Sequence, residues 1–189
     1  PARDLSQAPY VKVPVDNLPI GICDEDDLRD ILGDNDTDLK ISVMADVGRT
    51  NYKRDIIDKS NSVIDMIRVA TYINTIPAAV EIAEYCKNKG YETSINIMAI
   101  SNASMNDIND ALEVIGQSSV DKIYVVDSYG ALVPEQIRAI SEKYLEIADA
   151  TGKEVGIHAH NNMQLAFANT IESLRIGVSM LDCSCYGMG

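Results

Sequence analysis

The chain is poor in cysteine and histidine, holds no long apolar run, and carries too few basic residues to balance its acids. Only four cysteines occur in 189 residues: Cys23, Cys86, Cys183 and Cys185. Thiols so few and so scattered do not make a disulfide framework, so free thiols in a reducing compartment are expected. No apolar stretch approaches the ~18 residues a membrane helix needs and no secretory leader is legible, which points to a cytoplasmic protein. Lys and Arg number 16 against 29 Asp and Glu, a formal net charge of −13. Phosphate backbones need a basic stripe and anionic membranes need basic clusters, so nucleic acid and membrane are both set aside as partners. There is no G-x-G-x-x-G after a first strand and no P-loop, which removes the usual signs of a nucleotide-binding open sheet.

What is present is ordinary for a globular domain: 46% hydrophobic and 24% charged residues in a length suited to about one domain. Residues 1–38 are the least regular part. They hold Pro1, Pro9, Pro14 and Pro19 and two acidic clusters, Asp24–Asp27 and Asp34–Asp38, and read as surface loop with one short helix from Asp26 to Leu32. The second cluster is not a calcium loop, because an EF-hand needs Gly at its sixth position and Glu at its twelfth, and Leu39 and Ala45 stand there.

Beyond Leu39 six apolar, β-branched runs recur: Ile41–Val47, Ile64–Thr71, Thr93–Ile100, Lys122–Asp127, Val155–His160 and Met180–Cys185. They predict strands of a parallel sheet buried on both faces. Helical periodicity fills the gaps at Ile76–Asn88, Met105–Ile115 after Ser104, Pro134–Ala150 and Met163–Ile176, with Gly90, Gly152 and Gly177 as stops. Repeated βα units with right-handed crossovers leave two architectures, an open doubly wound sheet or a (β/α)8 barrel.

The chain's two histidines form His158-Ala159-His160 at the end of the fifth run. Side chains at i and i+2 of a strand share a face, so both imidazoles point the same way and can grip one ion. Active sites of parallel α/β proteins gather at C-terminal strand ends, and neutral imidazoles suit first-row divalent metals. A lone histidine is more often a hydrogen-bonded core residue; the pairing, followed by polar Asn161-Asn162, favours metal. Two ligands are an incomplete set, and oxygen donors from elsewhere would favour Mn or Mg, with Zn a further candidate. Asp127 and Ser128 close the preceding run as barrel-facing candidates for substrate contact or ligand support, a helix-capping and turn role for Ser128 being the alternative. Asp182 and Asn162 are further candidates for catalysis or ligand support. Cys183-Ser184-Cys185 lacks the spacing of a zinc knuckle, so both thiols are expected to pack as small apolar groups.

Four segments in order carry a resemblance: Ile67-Arg68-Val69-Ala70-Thr71, Val126-Asp127-Ser128-Tyr129-Gly130-Ala131, Gly156-Ile157-His158-Ala159-His160-Asn161-Asn162 and Asp182-Cys183-Ser184-Cys185-Tyr186-Gly187-Met188-Gly189. From about Leu39 onward the chain resembles the metal-dependent TIM-barrel lyases of the HMG-CoA lyase-like superfamily. Within it the 4-hydroxy-2-oxo acid aldolases are nearest, through similar Arg-Val-Ala-Thr, Ala-Asp-Ser-Gly-Gly-Ala and Gly-Met-His-Ala-His stretches. The Thr-Ile-Asn-Gly stretch of the related synthases is missing.

The resemblance implies an α/β TIM barrel seen incompletely: the six runs would be its third to eighth strands, with the first two strands and the last helix outside the chain. Residues 1–38 would then be an irregular lead and residues 39–189 a partial catalytic barrel. It implies His158 and His160 as ligands of a divalent metal and Ser128 as a contact to a small 2-oxo acid. The family's first-strand Arg-Asp motif, which supplies a catalytic Arg and a metal-binding Asp, has no counterpart here. Arg3-Asp4 follows only Pro1 and Ala2, so no strand can present it, and it is read as a solvated charge pair. The implied reaction cleaves a 4-hydroxy-2-oxo acid to pyruvate and an aldehyde. An acyl-CoA lyase, a Claisen-type synthase and a non-catalytic binding domain are the rival readings. Opening at Pro1 and closing on Gly187-Met188-Gly189, the chain reads as a stretch of a longer protein. Alone it is expected to be inactive or nearly so, with open sheet edges that make a homo-oligomer a candidate state.

Overall fold

A computed structural model describes residues 25–32 and 38–184. The chain divides into two units, Pro1–Leu39 and Lys40–Gly189. In the first, helix α1 (Glu25–Leu32) opens on Glu25, Asp26 and Asp27 and carries Arg29 in its last turn. That order of charge complements the helix dipole. Arg3-Asp4, Cys23 and most of the second acidic cluster lie outside the described residues.

The second unit runs β1 (Ser42–Asp46), α2 (Tyr52–Asp55), β2 (Met66–Thr71), α3 (Ile76–Asn88), β3 (Glu92–Ile97), α4 (Met105–Gly116), β4 (Lys122–Asp127), α5 (Pro134–Thr151), β5 (Glu154–Ala159), α6 (Ala166–Ile176) and β6 (Met180–Leu181). All neighbouring strands pair in parallel, in the spatial order β1-β2-β3-β4-β5-β6. A doubly wound sheet reverses its order at a switch point, whereas a barrel wall follows the chain. The order here is that of a barrel wall. Among the described residues β1 and β6 are its edges, so the barrel is incomplete.

Burial on both sheet faces, expected from the apolar runs, holds through β3 and β4, where the two faces differ in chemistry rather than in exposure. The helix-facing rows Ile67, Val69, Ile95, Ile97, Ile123, Val125, Val155 and Ile157 are fully buried and pack with the inner stripes of α3, α4 and α5. The opposite, bore-facing rows mix polar with apolar side chains: Arg68 between Met66 and Ala70 on β2, Ser94 and Asn96 on β3, Lys122, Tyr124 and Val126 on β4, His158 on β5. On β1 the bore-facing Met44 is 52% exposed, since the described chain puts no further strand beyond that edge.

Local chemistry sets the remaining boundaries. The third run ends at Ile97 rather than Ile100, because Ala99 turns left-handed at φ 53° and a short 3-10 turn, Ile100–Asn102, follows. Helix α4 starts where Ser104 and Asp107 form a reciprocal capping box. Helix α6 starts at Ala166 instead of Met163: Asn161 Oδ1 accepts the Ala166 N–H at 3.1 Å and Gln164 has φ 59°, so residues 161–165 make a turn. The last run is strand only over Met180–Leu181. Alternation therefore stops before Cys183, which is exposed and not packed in the core; Cys185 lies outside the described residues.

At the N-terminal end of the sheet, charge replaces apolar packing. Lys122, whose side chain is 8% exposed, meets Glu92 at 2.7 Å and also pairs with Glu154. Burial opposes its charge, but the two carboxylates outweigh that and raise its pKa. The pairing with Lys122, opposed by burial and helped by Lys40, holds Glu92 below the ordinary carboxylate value. Burial pushes Asp121 up, yet Lys87 and the Thr93 N–H, 2.8 Å away, leave it lowered. A depressed carboxylate stabilises the fold above its unfolded pKa of about 4, and that contribution is lost as pH falls through the folded value. The raised Lys122 contributes below about pH 10 and loses its share as pH rises through its folded value. We therefore expect the urea midpoint to stay level between about pH 6 and 8 and to fall below about pH 4. Urea titrations across that range check it; a midpoint unchanged at about pH 3 would contradict the carboxylate pairings.

Tyr144 of α5 is 0% exposed, and its hydroxyl has no hydrogen-bond partner among the described residues. Burial drives its pKa far upward. An unpaired buried hydroxyl costs stability that a phenyl ring avoids. Tyr144→Phe is expected to stabilise the protein by about 1 kcal/mol in a denaturant titration, and a comparable loss would mean that the hydroxyl is bonded.

Candidate functional site

The registers of β4, β5 and β6 assemble the site. On β4 and β5, Val126 pairs with His158 and Tyr124 with Gly156, so Tyr124 and His158 share the bore-facing side. His160 follows one residue after β5, and its N–H donates to the Asp127 carbonyl at 3.3 Å. The imidazoles stand side by side, with ring centroids 4.9 Å apart and planes tilted by 57°. Strand alternation brought them there, as their spacing predicts.

Strand β6 adds a carboxylate. It pairs Gly156 with Met180 and Ile157 with Leu181, and the Asp182 N–H extends the ladder to the Ile157 carbonyl at 3.0 Å. Asp182 thus arrives beside His158, with Oδ2 2.8 Å from Nδ1 of the ring. Arg68 Nη2 donates to the same oxygen at 2.5 Å, reaching from β2 across the bore. Its guanidinium lies over the Tyr124 ring, 4.4 Å from the centroid. Tyr124 in turn fills the space above Gly156, where a Cβ would meet ring atoms at 2.3–2.5 Å. Arg68 Nε is buried with no partner among the described residues, so the ion pair and the ring face hold the guanidinium. Burial pushes the Asp182 carboxyl up, but the bonds from His158 and Arg68 overcome this and its pKa lies below the ordinary value. Burial and then the Asp182 charge raise the Tyr124 phenol.

The other sequence candidates separate. Asp127, expected beside the histidines, faces the helix side in register with Ala159 and is 0% exposed. Its Oδ1 and Oδ2 accept the N–H groups of Ala131 and Leu132, each at 3.1 Å, so it shapes the loop that leaves β4. Ser128 is half-buried, and its Oγ accepts the Ala99 N–H at 2.8 Å. Helix α5 is capped at Val133, so Ser128 is not that helix's cap. Asn162 is exposed in the turn after β5. Gly130, at φ 54°, presses the β4 loop against this turn: a Cβ there would come within 2.6 Å of Asn162 N and the His160 carbonyl oxygen. Only glycine permits that approach.

Arg68 is the site residue that motif reading passed over. Its signal was a single charge in the apolar run Met66-Ile67-Arg68-Val69-Ala70-Thr71, and a buried charge demands a partner. Among the described residues no three His, Cys, Asp or Glu side chains come together as a metal-binding set. The donor chemistry nonetheless suits a divalent metal in part: two adjacent imidazoles, one held by a carboxylate through its second nitrogen. No helix among the described residues is long and apolar enough to cross a membrane.

Comparison with known proteins bears on what this geometry belongs to. Residues 44–189 match the HMGL-like family model. The chain is 30% identical over 128 residues to a 4-hydroxy-2-oxovalerate aldolase of Geobacillus thermodenitrificans, which covers 67% of this chain and 36% of that protein. A 4-hydroxy-2-oxovalerate aldolase of Mycolicibacterium paratuberculosis is 27% identical over 166 residues, 87% of this chain and 46% of the relative. The chain thus spans less than half the length of these relatives. Among solved structures, the N-terminal domain of a protein from Bacteroides vulgatus described as an aldolase aligns with a TM-score of 0.63 and 25% identity, over 86% of this chain and 52% of that one. The carboxyl transferase domain of Rhizobium etli pyruvate carboxylase, solved with pyruvate, aligns with a TM-score of 0.64 at 18% identity, over 77% of this chain and 27% of that one, and shares the fold alone. With most of its length matched by the family model and its strands in barrel order, the chain belongs to the HMGL-like family.

Proposed function

We propose that this chain is the core of a divalent-metal-dependent aldolase that cleaves a 4-hydroxy-2-oxo acid into pyruvate and an aldehyde. The observation that carries the reading is the adjacency of His158 and His160 at the C-terminal end of a parallel strand, in a sheet matched by aldolase-named relatives. His158 and His160 would supply two nitrogen ligands, with Mn or Mg favoured and Zn a further candidate. When bound, the metal supplies an electrophile that stabilises negative charge developing on the 2-oxo acid. In the reaction a general base takes the 4-hydroxyl proton and the O–H electron pair becomes the aldehyde C=O. The C3–C4 bonding pair passes to the pyruvate fragment as its enolate, and C3 then takes up a proton to give pyruvate. Ser128 accepts the Ala99 N–H through its oxygen, which leaves its own hydroxyl proton to donate to a substrate oxygen. Asp127 serves indirectly by setting the loop that carries Ser128.

The test assays the complete gene product with Mn2+, offering 4-hydroxy-2-oxo acids in one series and acyl-CoA substrates in another. Pyruvate released from a 4-hydroxy-2-oxo acid, with chelator sensitivity, is the expected result. Turnover of acyl-CoA substrates alone would move the reading to an acyl-CoA lyase or Claisen-type synthase on the same scaffold.

A further inference from the structure

The contact between Asp182 and His158 has a partner on the far side of the bore. Asp182 Oδ2 receives both Arg68 Nη2 at 2.5 Å and His158 Nδ1 at 2.8 Å. A carboxylate paired with a guanidinium is an acceptor only, so the ring nitrogen facing it must carry the proton. Arg68 cannot swing away freely, because Tyr124 lies beneath its guanidinium and Gly156 provides the seat for that ring. Three strands thus converge on one oxygen atom, with a fourth, β4, supporting the guanidinium through Tyr124, and the side chains of Arg68 and Asp182 are only 16% and 17% exposed.

We propose that Arg68 and Asp182 form a positioning pair that locks His158 in its Nδ1–H tautomer and leaves the lone pair on Nε2 as the ring's only donor to a cation. Neither residue contacts substrate in this role; both act through His158. Free imidazole exchanges between tautomers, and a ring that must choose one before it binds loses affinity to that choice. Fixing the tautomer in advance removes the loss, and support of this kind is typically worth about 10- to 100-fold in metal affinity. The inference rests on the reading of His158 as a ligand, yet its core is a statement about one proton that needs no metal to check.

Long-range hydrogen–nitrogen NMR correlations on the metal-free full chain report which ring nitrogen bears the proton. The expected spectrum has His158 protonated at Nδ1, and Asp182→Leu shifts it toward a mixture of tautomers while leaving His160 as the unaltered reference. Manganese titration of the same samples is expected to lose about 10- to 100-fold in affinity for Asp182→Leu and less for Arg68→Met. A wild-type His158 protonated at Nε2 overturns the proposal without recourse to any variant. So does a folded Asp182→Leu protein whose tautomer and manganese affinity are unchanged. Should the wild type hold the Nδ1–H tautomer and bind no manganese, the pair stands as an orienting device and the metal reading fails instead.

Discussion

Replacing His160 with alanine is expected to weaken Mn2+ binding by roughly 100-fold or more and to lower pyruvate release by about a thousandfold, with little change in folding stability. The imidazole stands one residue beyond β5 and is not in the apolar core, so its loss opens no buried cavity. Its part in anchoring the loop is played by its backbone N–H, which donates to the Asp127 carbonyl and survives the substitution. His158→Ala should match it in metal affinity and exceed it in structural cost, because it strips Asp182 of one of its two hydrogen-bond donors. Titration calorimetry with Mn2+, paired with a pyruvate-coupled assay and a melting curve, separates the two effects. Unaltered manganese affinity in a folded His160→Ala protein would remove this residue from the proposed ligand set.

The second large effect is steric. A methyl group at Gly156 would stand 2.3–2.5 Å from Tyr124 ring carbons, far inside van der Waals contact. The ring has little room to retreat: Tyr124 is 2% exposed and lies under the Arg68 guanidinium. Overpacking of this kind costs about 1–3 kcal/mol, and Gly156→Ala is expected at the upper end. Its reach extends past stability, since a displaced Tyr124 moves Arg68 and loosens the Asp182–His158 contact. Adding Tyr124→Leu to Gly156→Ala should recover at least about half of the lost stability, because the clash partner shrinks, while metal affinity stays low because the guanidinium has lost its support. Denaturant titrations of the two single variants and the double variant give the coupling. Strict additivity within about 0.5 kcal/mol would mean that the ring and the glycine do not press on each other.

Much of this fold was legible in local patterns. Helix α3 spans Ile76–Asn88 and β4 spans Lys122–Asp127, both as their periodicity predicts, because each is decided by hydrogen bonds and apolar spacing within the segment. Boundaries that depend on a single dihedral were not legible: Ala99 and Gln164 turn left-handed although neither is glycine, and they shorten a strand and a helix respectively. The polar content of the bore was concealed for a different reason. The run Thr93–Ile100 reads as strand, but which of its alternate residues meet helices and which line the bore depends on what packs against each side.

By itself the sequence determined the alternation of strand and helix, the parallel character of the sheet, and the shared face of His158 and His160, all consequences of periodicity over a few residues. Tertiary structure alone decided that Asp127 turns away into its own loop, that Asp182 comes to rest against His158, and that Arg68, 114 residues from Asp182 in the chain, closes on it across the bore. The reason is one of range. Backbone geometry repeats locally and leaves its mark on composition, whereas a contact between distant strands follows from register and sheet curvature, which no short stretch of residues records.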